Sequence, residues 1–326
     1  MRAVLCTEFG EPESLVVSDL PDPEPGPGEI VVDVAAAGVN YPDTLTIRDM
    51  YQFKPPLPFS PGGELAGVVS AVGKGVTHLS EGDRVIALTG ASGAFAEKAV
   101  ADARTTIPVP DGMPLDLAAA FVFTYGTSYH ALVDRADPVE GETLLVLGAA
   151  GGVGLAAVEI GAALGLRVVA AASTEEKLAV CRERGAAETI NYATEDLKAR
   201  VKELGGADIV YDPVGGEYAE AALRATNWLG RYLVVGFPAG IPTLPLNLVL
   251  LKGCDVRGVF WGESTVRNPD GFMAGLRQLA VWFADGTVRP HISGRYPLEG
   301  ASAAIRAMMD RRAVGKLLIE VDPDLV

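Results

Sequence analysis

Thr143-Leu144-Leu145-Val146-Leu147-Gly148-Ala149-Ala150-Gly151-Gly152-Val153-Gly154 is the stretch on which the fold turns. Its first five residues form an apolar run that reads as a fully buried strand. The residues after it, Leu155 to Leu164, are apolar nearly all round and predict a buried helix. Strand, glycine-rich turn and helix in that order is the context of a dinucleotide fingerprint. Glycines let the backbone approach a pyrophosphate, and the unpaired N–H groups at the positive end of the helix attract it. The spacing is not strictly G-x-G-x-x-G, so by itself it also suits a plain tight turn. The downstream pattern favours the phosphate reading: strands at Arg167–Ala171, Asp208–Tyr211 and Arg231–Val235 alternate with helices at Glu175–Arg184 and Tyr218–Thr226. Such alternation builds a parallel sheet with right-handed crossovers. Gly148, Ala150, Gly151, Gly152, Val153 and Gly154 are therefore the expected phosphate-binding residues.

Before this unit the texture differs. Short strand patterns at Glu29–Val34, Leu65–Val72 and Asp83–Leu88 are separated by Pro- and Gly-rich turns, which predicts a barrel-like or sandwich-like β region. A helical stretch then starts near Leu115 and reaches Leu132. After residue 260 come helices at Met273–Phe283 and Ala301–Met309 and a closing strand, Lys316–Val321. A lone closing strand needs a sheet to join. The simplest topology inserts the nucleotide unit into the β region, so that the tail returns to it.

The whole-chain quantities narrow the function. At 326 residues, two domains are the default. The composition, 49% hydrophobic and 21% charged with no long uninterrupted apolar run, is that of a globular protein with no membrane role. A net charge of −15 repels polyanions, which argues against nucleic-acid partners. The start, Met-Arg-Ala-Val-Leu-Cys-Thr-Glu, turns polar too soon for a signal peptide, so a cytoplasmic location is expected. Cys6, Cys181 and Cys254 are far apart and read as core residues.

The end of the second nucleotide-unit strand bears on the cofactor. An NAD site places an acid about 20 residues past the glycines to hold the adenosine ribose. Here the strand runs into Ala172-Ser173-Thr174, and Glu175 and Glu176 fall in the next helix's first turn, where the dipole favours acids anyway. Ser173, with Lys177 one turn on, suits a 2′-phosphate, and Tyr192 is placed to add a hydroxyl. NADPH is the expected cofactor. A solvated helix lysine is the plainer account of Lys177, and packing that of Tyr192.

Together these segments resemble the zinc-independent quinone oxidoreductases of the medium-chain dehydrogenase/reductase superfamily. The resemblance covers essentially the whole chain and rests on Gly38-Val39-Asn40-Tyr41-Pro42-Asp43 with Arg48 and Tyr51, on Pro61-Gly62-Gly63-Glu64-Leu65-Ala66-Gly67, on Gly82-Asp83-Arg84-Val85, on Ala149–Gly154, and on Gly315-Lys316. It implies an α/β chain: a GroES-like β-rich catalytic domain, residues 1–120 and 261–326, with an inserted Rossmann domain, a doubly wound parallel sheet, at 121–260. It further implies a nicotinamide cofactor between the domains and a homodimer joined through the edge segment Asp255–Phe260.

Zinc-dependent relatives carry a Cys where Asn40 stands and a His where Gly63 stands, and His78, His130 and His291 are scattered, so no metal is expected. By resemblance, Asn40, Asp43 and Tyr51 line the acceptor site as catalytic residues, with Tyr51 a candidate proton donor. Turn stabilisation by Asn40 and Asp43 is the plainer alternative. Thr127, Phe237 and Phe260 are expected beside the nicotinamide, and Lys316 is grouped with the cofactor-binding residues. Arg48-Asp49-Met50-Tyr51 departs from the family's Arg-x-Gly-x-Tyr pattern, being one residue shorter and lacking the glycine. The function implied is hydride transfer from NADPH to a quinone. Two alternatives are a reductase of activated C=C bonds, acting on an enone or enoyl-CoA, and a non-catalytic NADPH-binding protein.

Overall fold

The computed structural model describes residues 1–325. Two compact units result: one runs from Met1 to Phe123 and resumes at Ile292, and the other is Thr124–His291. Strands β1 (Arg2–Leu5), β2 (Val16–Asp19), β3 (Glu29–Val39), β4 (Glu64–Val72), β5 (Arg84–Leu88), β6 (Lys98–Asp102) and β7 (Ile107–Pro108) come first. The second unit holds β8 (Thr143–Leu147), β9 (Arg167–Ala172), β10 (Glu188–Asn191), β11 (Ala207–Asp212), β12 (Thr226–Val234) and β13 (Asp255–Gly258). Strands β14 (Ile292–Pro297) and β15 (Lys316–Glu320) return to the first unit.

In the first unit β1 and β2 pair alone, and the remaining strands form one sheet in the order β14-β15-β3-β4-β5-β7, with β6 also on β3. The long strand β3 organises it. Alternate residues Ile30, Val32 and Val34 pack in one core with Leu65, Leu317 and Ile319, and Val31 and Ala35 on the opposite face are buried as well, so both faces of this strand are covered. Strand β15 runs antiparallel to β3 with Leu317 opposite Val39, and β4 sets Leu65 opposite Ala37. The end of β3 and the starts of β4 and β15 therefore meet at one edge of the sheet. The closing strand has found the N-terminal β region, as expected.

All six strands of the second unit are parallel, in the order β10-β9-β8-β11-β12-β13. The chain steps outward from β8 through β9 and β10, then resumes on the other side at β11. That reversal makes a doubly wound Rossmann sheet and leaves a crevice at the carboxyl ends of β8 and β11. The core beneath combines Leu145, Val169, Val210 and Tyr232, the strongly apolar strands that a sheet covered on both faces needs.

Two expectations from sequence need correction. The helix read through Leu132 is broken into Leu115–Ala118 and Val122–Tyr129 and continues as a π-helical turn, His130–Ala136, which ends at Asp137 in the left-handed region. Residues 261–291, expected in the catalytic domain, belong to the compact second unit, whereas 121–123 belong to the first. The reason is packing that periodicity does not reveal. A Cβ on Gly126 would lie 2.6 Å from the Trp261 ring, and one on Gly275 would lie 3.1 Å from the Tyr129 ring, so helices Trp261–Arg267 and Pro269–Ala284 seat directly on Val122–Tyr129. Among the described residues no helix is long and apolar enough to cross a membrane.

Candidate active site

The glycine turn after β8 is built from backbone. Gly148 has φ +55°, which a residue with a Cβ adopts only with strain. Gly151 is the N-cap of helix Gly152–Ala163, and no side chain caps it. A Cβ on Gly154 would lie 2.4 Å from the carbonyl oxygen of Gly148, so only glycine allows the helix to sit this close to the strand end. The outcome is an uncapped N-terminus of a 12-residue helix beside a bare backbone turn. That arrangement fits a pyrophosphate, because helix N–H groups without an intrahelical partner need acceptors.

Beneath this turn lies a contact that motif reading missed. The Ser128 hydroxyl donates to the Val153 carbonyl at 2.8 Å and shares a hydrogen bond with the buried Tyr211 hydroxyl at 2.9 Å. Val122–Tyr129 and β11 thereby brace the first turn of the phosphate helix. Ser128 and Tyr211 look ordinary in sequence, and only their pairing 83 residues apart shows the role.

At the end of β9, Lys177 Nζ lies 3.5 Å from Ser173 Oγ, and the Thr174 hydroxyl accepts from the Lys177 N–H at 3.3 Å as helix cap. The Glu175 carboxylate is held by Arg182 along the exposed face of its own helix. Tyr192 follows β10 and packs its ring 4.6 Å from that of Tyr218. Thr127 is buried in Val122–Tyr129, while Phe237 and Phe260, partly exposed, follow β12 and β13. Gly148–Gly154, Ser173, Tyr192, Phe237 and Phe260 thus all follow the carboxyl ends of parallel strands. At the end of β11, buried Asp212 accepts from the Val214 and Gly215 N–H groups, both at 2.8 Å, and from the Tyr232 hydroxyl at 2.5 Å, fixing the loop opposite Gly148. Asp212 was also missed from sequence.

In the first unit, side chains make the site. Lys316 Nζ donates to Asn40 Oδ1 at 2.7 Å, to Glu64 Oε2 at 3.0 Å and to the Val39 carbonyl at 3.3 Å. Asn40 Nδ2 donates to Glu64 Oε2 at 3.3 Å and to the Gly38 carbonyl at 3.2 Å, and Glu64 Oε1 accepts from the Phe123 N–H at 2.6 Å. All three are buried, Glu64 completely. The Asn40 backbone N–H donates to Asp43 Oδ2 at 2.7 Å, opening helix Tyr41–Thr46.

This geometry bears on two expectations. Lys316, grouped in advance with the cofactor-binding residues, lies in the first unit with its ammonium enclosed by Asn40, Glu64 and the Val39 carbonyl. The Asn40 amide, expected at the acceptor site, has both its ends engaged by Lys316, Glu64 and the Gly38 carbonyl. This donor set does not fit zinc: where relatives have a Cys and a His, an amide oxygen holding a lysine ammonium and Gly63 offer no open set of three ligands. Among the described residues no group of three or more His, Cys, Asp or Glu is placed to hold a metal. Glu64 was the visible clue, an acid opening an otherwise apolar strand.

Burial pushes the Asp43 carboxyl up to about 7; the Asn40 N–H and the Lys316 charge oppose this, and the Glu64 charge adds to it. Tyr51 is half-buried, and burial, with the charge of Asp43, raises its phenol above the ordinary range. The shortened loop before it closes through Asp49, which takes the left-handed conformation at φ +57°. Asp tolerates that region better than most residues, by local hydrogen bonding. Arg48 donates to the Thr44 carbonyl at 2.6 Å, and Lys54 pairs with Asp49 at 2.8 Å. The Tyr51 ring meets Phe53 edge-on at 5.8 Å.

Comparison with known proteins agrees with this architecture. Residues 26–111 match the model of the alcohol dehydrogenase GroES-like domain, and 152–274 that of the zinc-binding dehydrogenase family. The chain is 37% identical to quinone oxidoreductase-like protein 2 homolog of Nematostella vectensis, over 98% of this chain and 88% of that protein. It is 33% identical to human quinone oxidoreductase, over 98% and 97%. Escherichia coli quinone oxidoreductase, solved in complex with NADPH, matches with a TM-score of 0.91 and 29% identity, covering 98% of this chain and 100% of that one. Similarity of this extent, on a fold of the same two parts, means that the chain belongs to the quinone oxidoreductase family of the medium-chain dehydrogenase/reductase superfamily.

Proposed function

We propose that this chain is an NADPH-dependent reductase that reduces a quinone without a metal ion. The observation that carries the reading is the similarity over 98% of the chain to a quinone oxidoreductase solved with NADPH. Gly151–Gly154 would hold the pyrophosphate, Ser173 and Lys177 the 2′-phosphate, and Thr127, Phe237 and Phe260 would surround the nicotinamide. The lysine ammonium next to the serine hydroxyl supports NADPH over NADH, since a 2′-phosphate rewards a cation and a ribose hydroxyl does not.

When bound, the cofactor supplies the hydride. The protein's share is orientation and a proton. Hydride addition leaves the quinone as an oxyanion, and the Tyr51 hydroxyl, kept protonated at neutral pH by burial and by Asp43, gives that oxygen its proton and regains one from solvent. A quinone accepts hydride without Lewis-acid help because its product is aromatic. The enoyl-CoA alternative has less support: the cations near the site, Arg48 and Lys54, form no cluster for CoA phosphates, and Lys54 is paired with Asp49.

The same reading makes the protein a cytoplasmic homodimer. Strand β13 is the last strand of its sheet, and Trp228, Leu250 and Val256 on neighbouring elements are 69%, 78% and 40% exposed. An edge strand flanked by exposed apolar residues suits pairing with a second copy.

The test is NADPH oxidation, followed by absorbance, against quinones and enones, with NADH for comparison and a chelator present. Quinone turnover that prefers NADPH and survives the chelator is expected. Turnover on enones alone would move the protein to the C=C reductases, and tight NADPH binding without any turnover would make it a non-catalytic binder.

A further inference from the structure

We propose that Lys316 and Glu64 are positioning residues for the proton step: holding Asn40 between them, they set the charge state of the Asp43 carboxyl and, through it, the readiness of Tyr51 to give up its proton. The proposal rests on the reading of Tyr51 as proton donor.

The geometry places an ion pair, an amide and a carboxyl in series. Lys316 and Glu64 meet at 3.0 Å with 3% and 0% of their side chains exposed, and each also bonds the Asn40 amide, which fixes that side chain from both ends. Asn40 in turn presents its backbone N–H to Asp43 Oδ2. No cation makes a direct contact with Asp43 among the ion pairs of the described residues, so beyond its burial the charges that bias it sit one residue removed. Those groups come from three directions. Lys316 from β15 favours the ionised carboxylate, Glu64 from β4 disfavours it, and Tyr51 from the following loop feels the result. Helix Ala301–Met309, which packs against Tyr41–Thr46, contributes no free charge, because its Arg306 is bound to Glu11 and Glu13. Asp310 beyond it pairs with Arg312, Arg48 bonds the Thr44 carbonyl, and the Cys6 thiol reaches only the carbonyls of Glu8 and Ile47.

The chemistry follows from the signs. A carboxylate near a phenol makes the phenol a weaker acid, and a neutral carboxyl removes that effect. Tyr51 therefore donates best while Asp43 carries its proton. Catalysis should fall as pH rises through the Asp43 midpoint of about 7. Burial does most to hold that midpoint near neutrality, the Glu64 charge adds to it and the Lys316 charge opposes it, while Lys316 keeps Glu64 buried and the set aligned.

The experiment follows the Asp43 carboxyl by carbon-13 NMR in the full chain, assigned with Asp43→Asn, together with the pH profile of kcat on a quinone. In Glu64→Gln the Asp43 midpoint and the alkaline fall in kcat should both move down by about one pH unit, and in Lys316→Met both should move up by about one, the usual size for a nearby charge. Lys316→Arg should restore the original profile. A purely structural pair would lower stability and activity without moving the two variants' midpoints in opposite directions, so unchanged midpoints, or shifts of the same sign, overturn the proposal. If one of the two variants fails to fold, the direction of the other decides alone, down for Glu64→Gln or up for Lys316→Met; a midpoint that stays put, or that moves the opposite way, overturns the proposal. Absence of all quinone turnover in the unaltered protein would defeat the functional reading, while the carboxyl titration would still decide this one.

Discussion

The phosphate turn of the second unit and the charge cluster of the first are built by opposite means. Around Gly148 to Gly154 the chain removes side chains so that backbone groups can face a ligand, and one added Cβ would meet a carbonyl at 2.4 Å. Around Asn40, Glu64 and Lys316 it buries long polar side chains that satisfy one another. A site made of backbone is written in consecutive residues. A site made of side chains is scattered, here over 276 residues from Asn40 to Lys316. The contrast also separates the tasks proposed for them, holding a charged ligand for the first and biasing the protonation of a neighbour for the second.

The largest effect that could break this contrast comes from Gly154→Val. The helix would have to back away from β8, and NADPH affinity should fall by about 100-fold or more, the scale of losing several charge-assisted hydrogen bonds; calorimetry on a variant with native circular dichroism checks it. An unchanged Kd would place the pyrophosphate elsewhere. Next is Tyr51→Phe, expected to lower kcat by about 100-fold with KM for NADPH unchanged, the lower range for a lost general acid. Steady-state kinetics that show equal loss in both constants would make Tyr51 a binding wall instead.

Asp43→Asn sharpens the comparison through stability. The folded carboxyl titrates at about 7 against an ordinary 3.8, so the folded state holds its proton longer than the unfolded chain does. By linkage, stability conferred by this group is lost as pH rises from about 4 to 7. The asparagine variant should therefore gain about 2 kcal/mol relative to the parent between pH 5 and pH 8. Urea titrations at the two pH values measure this, and a gap independent of pH would show that Asp43 ionises normally. The smallest effect is that of Lys177→Ala, which should cost about tenfold in NADPH affinity and leave NADH binding unchanged, consistent with one charge-assisted contact to phosphate. Equal loss for both cofactors would mean that Lys177 only packs against Ser173.

How much could be read in advance follows the same division. The strand at Thr143–Leu147, the glycine turn and the parallel sheet were legible because each is local: an apolar run, a turn chemistry, an alternating period. Ser173 and Lys177 could be paired in advance because they are four apart at a strand–helix junction, and they lie 3.5 Å apart. The ion pair of Lys316 was not foreseen because nothing in Gly315-Lys316 says which buried acid it will meet. Asn40 was given a ligand-facing role by resemblance, whereas its orientation depends on Glu64 and Lys316, which lie on other strands. The domain boundary at 260 failed for a related reason: helix periodicity shows that Pro269–Ala284 has an apolar face but not that Tyr129 will receive it.

The antiparallel pairing of β15 with β3 has a consequence for the order in which the molecule is made. Glu64 leaves the ribosome 252 residues ahead of Lys316, a delay on the order of 10 to 50 seconds at ordinary synthesis rates. Throughout that interval a carboxylate bound for the interior has no counter-ion, and the second half of β3, paired with β4 on one side, lacks β15 on the other. The contiguous unit Thr124–His291 has no such debt to later sequence. It is expected to become protease-resistant on the ribosome first, with the unit that begins the chain the last to close, and pulse proteolysis of stalled nascent chains would show the opposite order if Glu64 could be buried alone.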